Sequence, residues 1–326
     1  MSEGRVAILM ATYNGEEFIE EQIRSIRSQT FGDWDLLVSD DGSSDATLSI
    51  VSKCANEDCR IRIVPSLNKL GTASGNFMGL VDRARSYEYV FFCDQDDVWY
   101  PDKVERELST LKRAENDFSQ SMPVLVFTDS RVVDRNLEPM QSSFVGTLGF
   151  SAEKINFAQL AISNVAQGCT IAMNASLVSL LRQFEFNSDI GLHDWWAMIL
   201  AKAFGAAVYI SEPTMDYRQH GKNVVGATDS SMLSWLTHIA KSPNSLFGWR
   251  ERAKQDASDA IRFAQSVELQ IGSEIAQDKK LALADVSQLP KNNLLGRIRT
   301  IFKYGLVNRG DLHKDVYWLY GLLFCH

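Results

Sequence analysis

Positive charge is scarce in this chain: 33 Lys and Arg stand against 41 Asp and Glu, a net charge of −8. Nucleic acid is therefore not expected as a partner. Long apolar runs are missing too. A spanning helix needs roughly 18 such residues, and the longest run, near the C-terminus, reaches about half of that. The five cysteines, Cys54, Cys59, Cys93, Cys169 and Cys325, show no paired metal-site spacing. They read as free thiols in a reducing compartment. No basic stretch followed by an apolar one opens the chain, so no signal peptide is expected and the location expected is cytoplasmic. Neither G-x-G-x-x-G nor G-x-x-x-x-G-K-[ST] occurs, which removes the dinucleotide and NTPase fingerprints. Internal repeats and low-complexity tracts are absent as well.

What is present is ordinary globular material. Of 326 residues, 45% are hydrophobic and 23% charged, room for one large α/β domain and a smaller appendage. Apolar runs alternate with helical periodicity over the first 130 residues. Strands are predicted at Val6–Met10, Leu36–Val38, Ile61–Val64, Tyr89–Cys93 and Val124–Phe127. Between them, Phe18, Ile19, Gln22, Ile23 and Ile26 recur at helical spacing; a second helix carries Leu48, Ile50, Val51 and Cys54, and a third has Phe77, Leu80, Val81 and Ala84 on one face. This alternation predicts right-handed βαβ units and a mostly parallel sheet. Residues 135–170 look like a loop-rich insertion. Further elements are expected at Ile171–Met173, Leu177–Phe184, Asp194–Ala203 and Ala207–Ile210. Beyond about 228 only helices are expected. The division is thus 1–228, with one half to about 130 and a second from about 131, then a helical region 229–326.

The densest chemistry follows the fourth strand. Asp94-Gln95-Asp96-Asp97-Val98-Trp99 puts three carboxylates in four residues at a strand's carboxyl end, where open α/β sheets bind ligands. Carboxylates so close repel and raise one another's pKa, and a hard divalent cation removes that conflict. A solvated acidic turn before the helix start at Pro101 is the other reading. Ala11-Thr12-Tyr13-Asn14-Gly15 and Asp40-Asp41-Gly42-Ser43-Ser44-Asp45 end the first two strands and can share the same crevice. Asp41 suits the imide N–H of a pyrimidine; alternatively, both segments are ordinary turns with capping carboxylates. Asp194, opening a helix between His193 and the pair Trp195-Trp196, is either a base beside sugar-stacking indoles or a cap beside core tryptophans. Arg218, His220 and Lys222 form either a diphosphate clamp or a basic surface loop.

These motifs, with Ser28-Gln29-Thr30-Phe31 and Asn68-Lys69-Leu70-Gly71, resemble an inverting family 2 glycosyltransferase with the GT-A fold over roughly residues 4–225. Asp94–Trp99, His193-Asp194-Trp195-Trp196 and Tyr217-Arg218-Gln219-His220-Gly221 are similar to bacterial polysaccharide rhamnosyltransferases. The resemblance implies a nucleotide site of Ala11, Thr12, Tyr13, Asn14, Asp41, Asn68, Asn76, Asp96 and Arg218. It implies Mn2+ or Mg2+ on Asp97, Asp96, Asp94 and His220, and Asp194 as general base. The acceptor side would take Trp195, Trp196, Gly168 and Trp99. The donor would be a dTDP- or UDP-sugar, dTDP-rhamnose foremost, and the acceptor a glycan or lipid-linked saccharide of a bacterial surface polysaccharide. A UDP-galactose or UDP-glucose transferase, or a non-catalytic sugar-nucleotide-binding assembly subunit, stays open.

Residues 291–314 carry six basic side chains and one acid, Asp311. Leu294, Ile298, Ile301, Phe302 and Gly305 recur there at helical spacing, and an aromatic stretch, Val316–Phe324, follows. Residues 291–326 therefore read either as contact with the anionic inner face of the plasma membrane or as helices packed on the catalytic domain or in an oligomer.

Overall fold

The computed structural model describes residues 5–68, 70–148, 151–220, 244–307 and 310–325, with side chains from 248 in the long helix. Two compact units form: Met1–Phe144 with Ala166–Val224, and Val145–Val165 with Val225–His326.

In the first unit, β1 (Val6–Thr12), α1 (Ile19–Arg27), β2 (Trp34–Asp40), α2 (Thr47–Glu57), β3 (Ile61–Ile63), α3 (Ala73–Arg83) and β4 (Tyr89–Cys93) follow in order. The core of β1, Val6 to Met10, is fully buried because helices cover both faces of its sheet. It pairs in parallel with β2 (Ile8↔Leu36) and with β4 (Ile8↔Phe91). The helix α1 turns Ile19, Gln22, Ile23 and Ile26 inward, the spacing of one helical face. α3 begins at Ala73 because Thr72 caps it, its hydroxyl accepting from the Gly75 N–H at 3.1 Å.

The second half is less regular. It comprises β5 (Val98–Trp99), α4 (Lys103–Asp117), β6 (Val124–Asp134), β7 (Pro139–Gln141), β8 (Ile171–Asn174), α5 (Ala175–Gln183), α6 (His193–Phe204) and β9 (Ala206–Gln219). The sheet order is β3-β2-β1-β4-β8-β6-β9-β5, with β7 on β6. Strand β8 runs antiparallel to both β4 and β6, and β5 antiparallel to β9, so the α/β sheet is mixed rather than mostly parallel. Strand β9 extends well past the expected Ile210. A register shift against Thr128–Asp129 absorbs Ser211 and Glu212 at Pro213, and pairing resumes at Arg131↔Asp216.

The second unit is helical: α7 (Asn244–Ile271), α8 (Gln277–Ser287), α9 (Leu294–Tyr304) and α10 (Leu312–Phe324), with single turns at Val145–Leu148 and Phe157–Leu160. Buried Ala253, Ala257, Ala260 and Ala264 make a small-residue stripe on α7. Gly321 of α10 sits against it so closely that a Cβ there would strike the Ala253 carbonyl. The segment 145–165, expected in the first domain, belongs here instead: Asn156 Nδ2 donates to the Tyr304 carbonyl at 3.0 Å and Gln159 Nε2 to that of Gly305 at 2.8 Å. The expected boundary near 228 lies outside the described residues. Among the described residues no helix is long and apolar enough to cross a membrane.

Candidate active site

The turns after β1, β2 and β4 are tied into one surface. Asp40 accepts from the Thr12 hydroxyl at 2.8 Å and from the Ser43 N–H at 2.8 Å. Asn14, held at φ 47°, accepts from the Ser44 N–H at 2.8 Å while its own N–H donates to Ser43 Oγ. Gln95, inside the acidic motif, accepts from the Tyr13 N–H and donates to the Tyr13 carbonyl, both at 3.0 Å. Gly15 lies directly beneath it, and a Cβ there would overlap the Gln95 amide and push it from its two bonds to Tyr13. The Tyr13 ring is left 59% exposed. Half-buried Asp41 accepts from Asn68 Nδ2 at 2.5 Å, and Ala11 lies half-buried at the end of β1. Asn76 is not on this surface. It is buried under β2, where its amide donates to the Ser39 carbonyl at 2.9 Å and its carbonyl oxygen accepts from the Ser39 hydroxyl at 2.5 Å.

The acidic motif splits by depth. Asp97 is fully buried; its Oδ1 accepts from the Arg218 N–H at 3.0 Å. Its Oδ2 has no hydrogen-bond partner of normal geometry, only the weak Cys169 thiol beside it. Ligand atoms of Asp94, Asp97 and Cys169 lie within 4.8 Å of one another. Burial, then the charges of Asp96 and Asp94, push the Asp97 carboxyl well above its usual range. Burial, then Asp96 and Asp194, raise Asp94 to about 7. Burial and both carboxylates also push the Cys169 thiol up. Asp96, at the outer edge, meets His220 Nε2 at 2.8 Å. An unpartnered buried carboxylate oxygen, crowded acids and an imidazole nitrogen at the rim fit a divalent cation. Among the described residues Asp94, Asp97 and Cys169 bring three ligand atoms close enough to share one ion, while Asp96 and His220 form a pair of their own at the rim.

The start of α6 brings Asp194 to this cluster. Its carboxylate is close enough to Asp94 to help raise that group's pKa, and its Oδ1 accepts from the Trp195 N–H at 2.6 Å. Gly168 opens the turn of 3₁₀ helix before β8. A Cβ there would lie 3.7 Å from that of Asp194 and only 2.7 Å from His193 Nε2. Buried His193 stacks on Phe77 with centroids 4.1 Å apart, and Nδ1 meets the Ser74 hydroxyl at 3.2 Å. Burial lowers its pKa to about 3, so the ring is neutral.

Three expected contacts are corrected besides Asn76. Trp196 is fully buried, edge-on to Phe184 at 6.5 Å, one turn from His193 on the inner face of α6. Trp99 is 2% exposed, between Phe91 and the Lys103 ammonium. Neither indole can stack on an acceptor; Trp195, half-buried, is the one at the surface. The Arg218 guanidinium faces inward, bonded to Glu21 and to backbone carbonyls, not outward as a phosphate clamp. Lys222 lies outside the described residues. Sequence reasoning missed Gln95, whose position inside the acidic motif was its signal. It also missed Cys169, one of five free thiols, which Gly168 places at the cluster.

A parallel βαβ half with an acidic motif at a strand end, joined to a mixed half that supplies a facing carboxylate, is the GT-A architecture of sugar transfer from nucleotides. The chain belongs to the glycosyl transferase family 2, whose model matches residues 7–179. It is 34% identical over 230 residues to the dTDP-rhamnosyl transferase RfbG of Shigella flexneri, covering 68% of this chain and 75% of that one. It is also 28% identical to the UDP-Glc:alpha-D-GlcNAc-diphosphoundecaprenol beta-1,3-glucosyltransferase WfgD of Escherichia coli, over 55% of this chain and 64% of that one. Among solved structures it resembles S. aureus TarS 1-349 in complex with UDP-GlcNAc, at TM-score 0.53 and 14% identity over 96% of this chain and 89% of that one. The mannosyltransferase PcManGT of Pyrobaculum calidifontis, in complex with GDP-Man and Mn2+, matches at TM-score 0.50 and 17% identity over 97% and 87%.

Proposed function

We propose that this glycosyltransferase moves L-rhamnose, with inversion, from dTDP-rhamnose to a glycan or lipid-linked saccharide of a bacterial surface polysaccharide. The observation that carries the catalytic reading is Asp194 standing beside the strand-end acids, with the backbone of Gly168 packed close against His193 and Asp194. In-line attack needs one carboxylate to take the acceptor hydroxyl's proton as that oxygen reaches the anomeric carbon; such a base contributes about 10²–10⁴-fold. Asp194 is that group. A divalent cation, held by Asp96, His220 and the carboxylates of Asp94 and Asp97, would neutralise the departing diphosphate so that it leaves unprotonated. Exposed Tyr13 offers the pyrimidine a stacking face, Asp41 accepts its imide N–H, and Asn68 orients Asp41. Trp195 is left to cover the acceptor.

Rhamnose as the sugar rests on the relative named for it, at 34% identity. UDP-glucose or UDP-galactose is the second reading, favoured by the relative named for UDP-Glc. A non-catalytic subunit would have no need to keep Asp194 beside three buried or half-buried acids. Contact with the anionic inner face of the membrane belongs to the same proposal. It rests on the basic stretch 291–314 and on Leu295 and Phe302, i and i+7 on α9, which are 77% and 70% exposed.

Nucleotide release from a donor panel with Mn2+ tests this reading. Release from dTDP-rhamnose should exceed that from UDP-hexoses at least about tenfold, a difference of about 1.4 kcal/mol in transition-state binding. Preference for a UDP-hexose would assign the second reading, and no release from any donor would favour the non-catalytic one.

A further inference from the structure

We propose that Arg218 is a positioning residue that fixes the acidic turn, so that Asp96 and His220 present a pre-arranged site to a divalent cation; this rests on the metal-dependent reading above. Arg218 and His220 are two apart at the end of β9, and such residues on an extended chain project to the same side. Both meet one platform, the Phe18 ring just before α1. The Arg218 guanidinium carbon lies 4.6 Å from its centroid, and the His220 ring lies 4.8 Å away and tilted by 31°.

The guanidinium is spent in three directions. Nε donates to the Asp96 carbonyl at 2.8 Å, Nη1 to the Arg135 carbonyl at 2.6 Å and Nη2 to Glu21 Oε2 at 2.5 Å. The backbone N–H of the same residue donates to Asp97 Oδ1 at 3.0 Å. Arg218 therefore holds Asp96 by its backbone and Asp97 by its carboxylate, while His220, two residues on, holds Asp96 by its Oδ2 at 2.8 Å. With a side chain 3% exposed, Arg218 cannot also reach a diphosphate in the crevice. Only a planar fork with donors at fixed angles serves the Asp96 carbonyl, the Arg135 carbonyl and Glu21 together; a Lys ammonium on its flexible stem does not. Without that fork the Asp96 carbonyl loses its partner, and the Asp96–His220 geometry loses its support on the β4 side.

Groups that orient metal ligands from behind are worth about 10–100-fold in metal affinity, which sets the size of effect to seek. Mn2+ affinity should be measured by EPR titration, with dTDP or UDP present, for wild type, Arg218→Lys and Glu21→Gln, alongside each thermal midpoint. Glu21 is half-exposed, so Glu21→Gln tests the same fork with little risk to the fold. Arg218→Lys should weaken Mn2+ binding about tenfold or more, and Glu21→Gln about two- to fivefold, with the Glu21→Gln midpoint near that of wild type. If Arg218→Lys does not fold, Glu21→Gln decides alone. Wild-type Mn2+ affinity in both folded variants would overturn the positioning role alone. Failure of wild type to take up Mn2+ would overturn the metal-dependent reading and this proposal with it.

Discussion

Burial decides what a titratable side chain in this site can be. His193 stands next to the proposed base, yet its environment removes it from proton transfer. Phe77 and Phe92 pack on its ring, and loss of water alone lowers its pKa from 6.5 to about 3. The folded chain thus refuses a proton that the unfolded chain accepts. For a histidine with a depressed pKa, the stabilising contribution is full above 6.5 and is lost as pH falls below it. Wild type should therefore lose about 2 kcal/mol relative to His193→Gln between about pH 6.5 and about pH 5, read from denaturant midpoints. Parallel curves would mean that the folded ring is protonated. The acids behave in the opposite way. Asp94 and Asp97 are pushed upward by burial and by one another, which is why a cation suits them.

At the scale of elements, the parallel half was legible because its central strands are bare apolar runs followed by a helical period. Val6–Met10, Leu36–Val38 and Tyr89–Cys93 needed only side-chain type. The antiparallel half was not, for two physical reasons. β5 is two residues long and has no period to read, and β9 is interrupted by Ser211-Glu212-Pro213, which a register shift absorbs. Direction was equally hidden: nothing in Ile171–Met173 says that it runs against both neighbours. The site shows the same division. Residues that end strands, such as Thr12, Asp41 and Asp94 to Asp97, were placed by the rule that ligands gather at strand carboxyl ends. Residues whose role depends on which way they face were not. Trp195 and Trp196 are neighbours of one type, and the helix turns one outward and one into the core. Arg218 reads as a phosphate clamp until its partners, Glu21 and the Asp96 and Arg135 carbonyls, are seen.

Over the whole molecule, charge is uneven: an acidic chain carries a basic stretch at 291–314. Of its six basic residues, Arg297 is withdrawn from any surface role, since its guanidinium donates to the carbonyls of Pro290, Asn292, Leu323 and Cys325. The proposed membrane contact therefore leans on exposed Leu295 and Phe302, each worth about 1.5–3 kcal/mol if buried in the interface. Leu295→Ser with Phe302→Ser should cut co-sedimentation with anionic vesicles about tenfold or more without moving the thermal midpoint. Vesicle binding equal to wild type would assign this face to protein packing instead. The central claim is that Asp194 is the base of an inverting transfer. Its most direct test is Asp194→Asn, with donor binding and turnover measured on the same preparation. Donor dissociation constants should stay within about threefold while kcat falls about 10²-fold or more, because only proton transfer in the transition state is removed. Loss of donor binding in step with kcat would contradict the account and make Asp194 a ligand of the nucleotide or the cation.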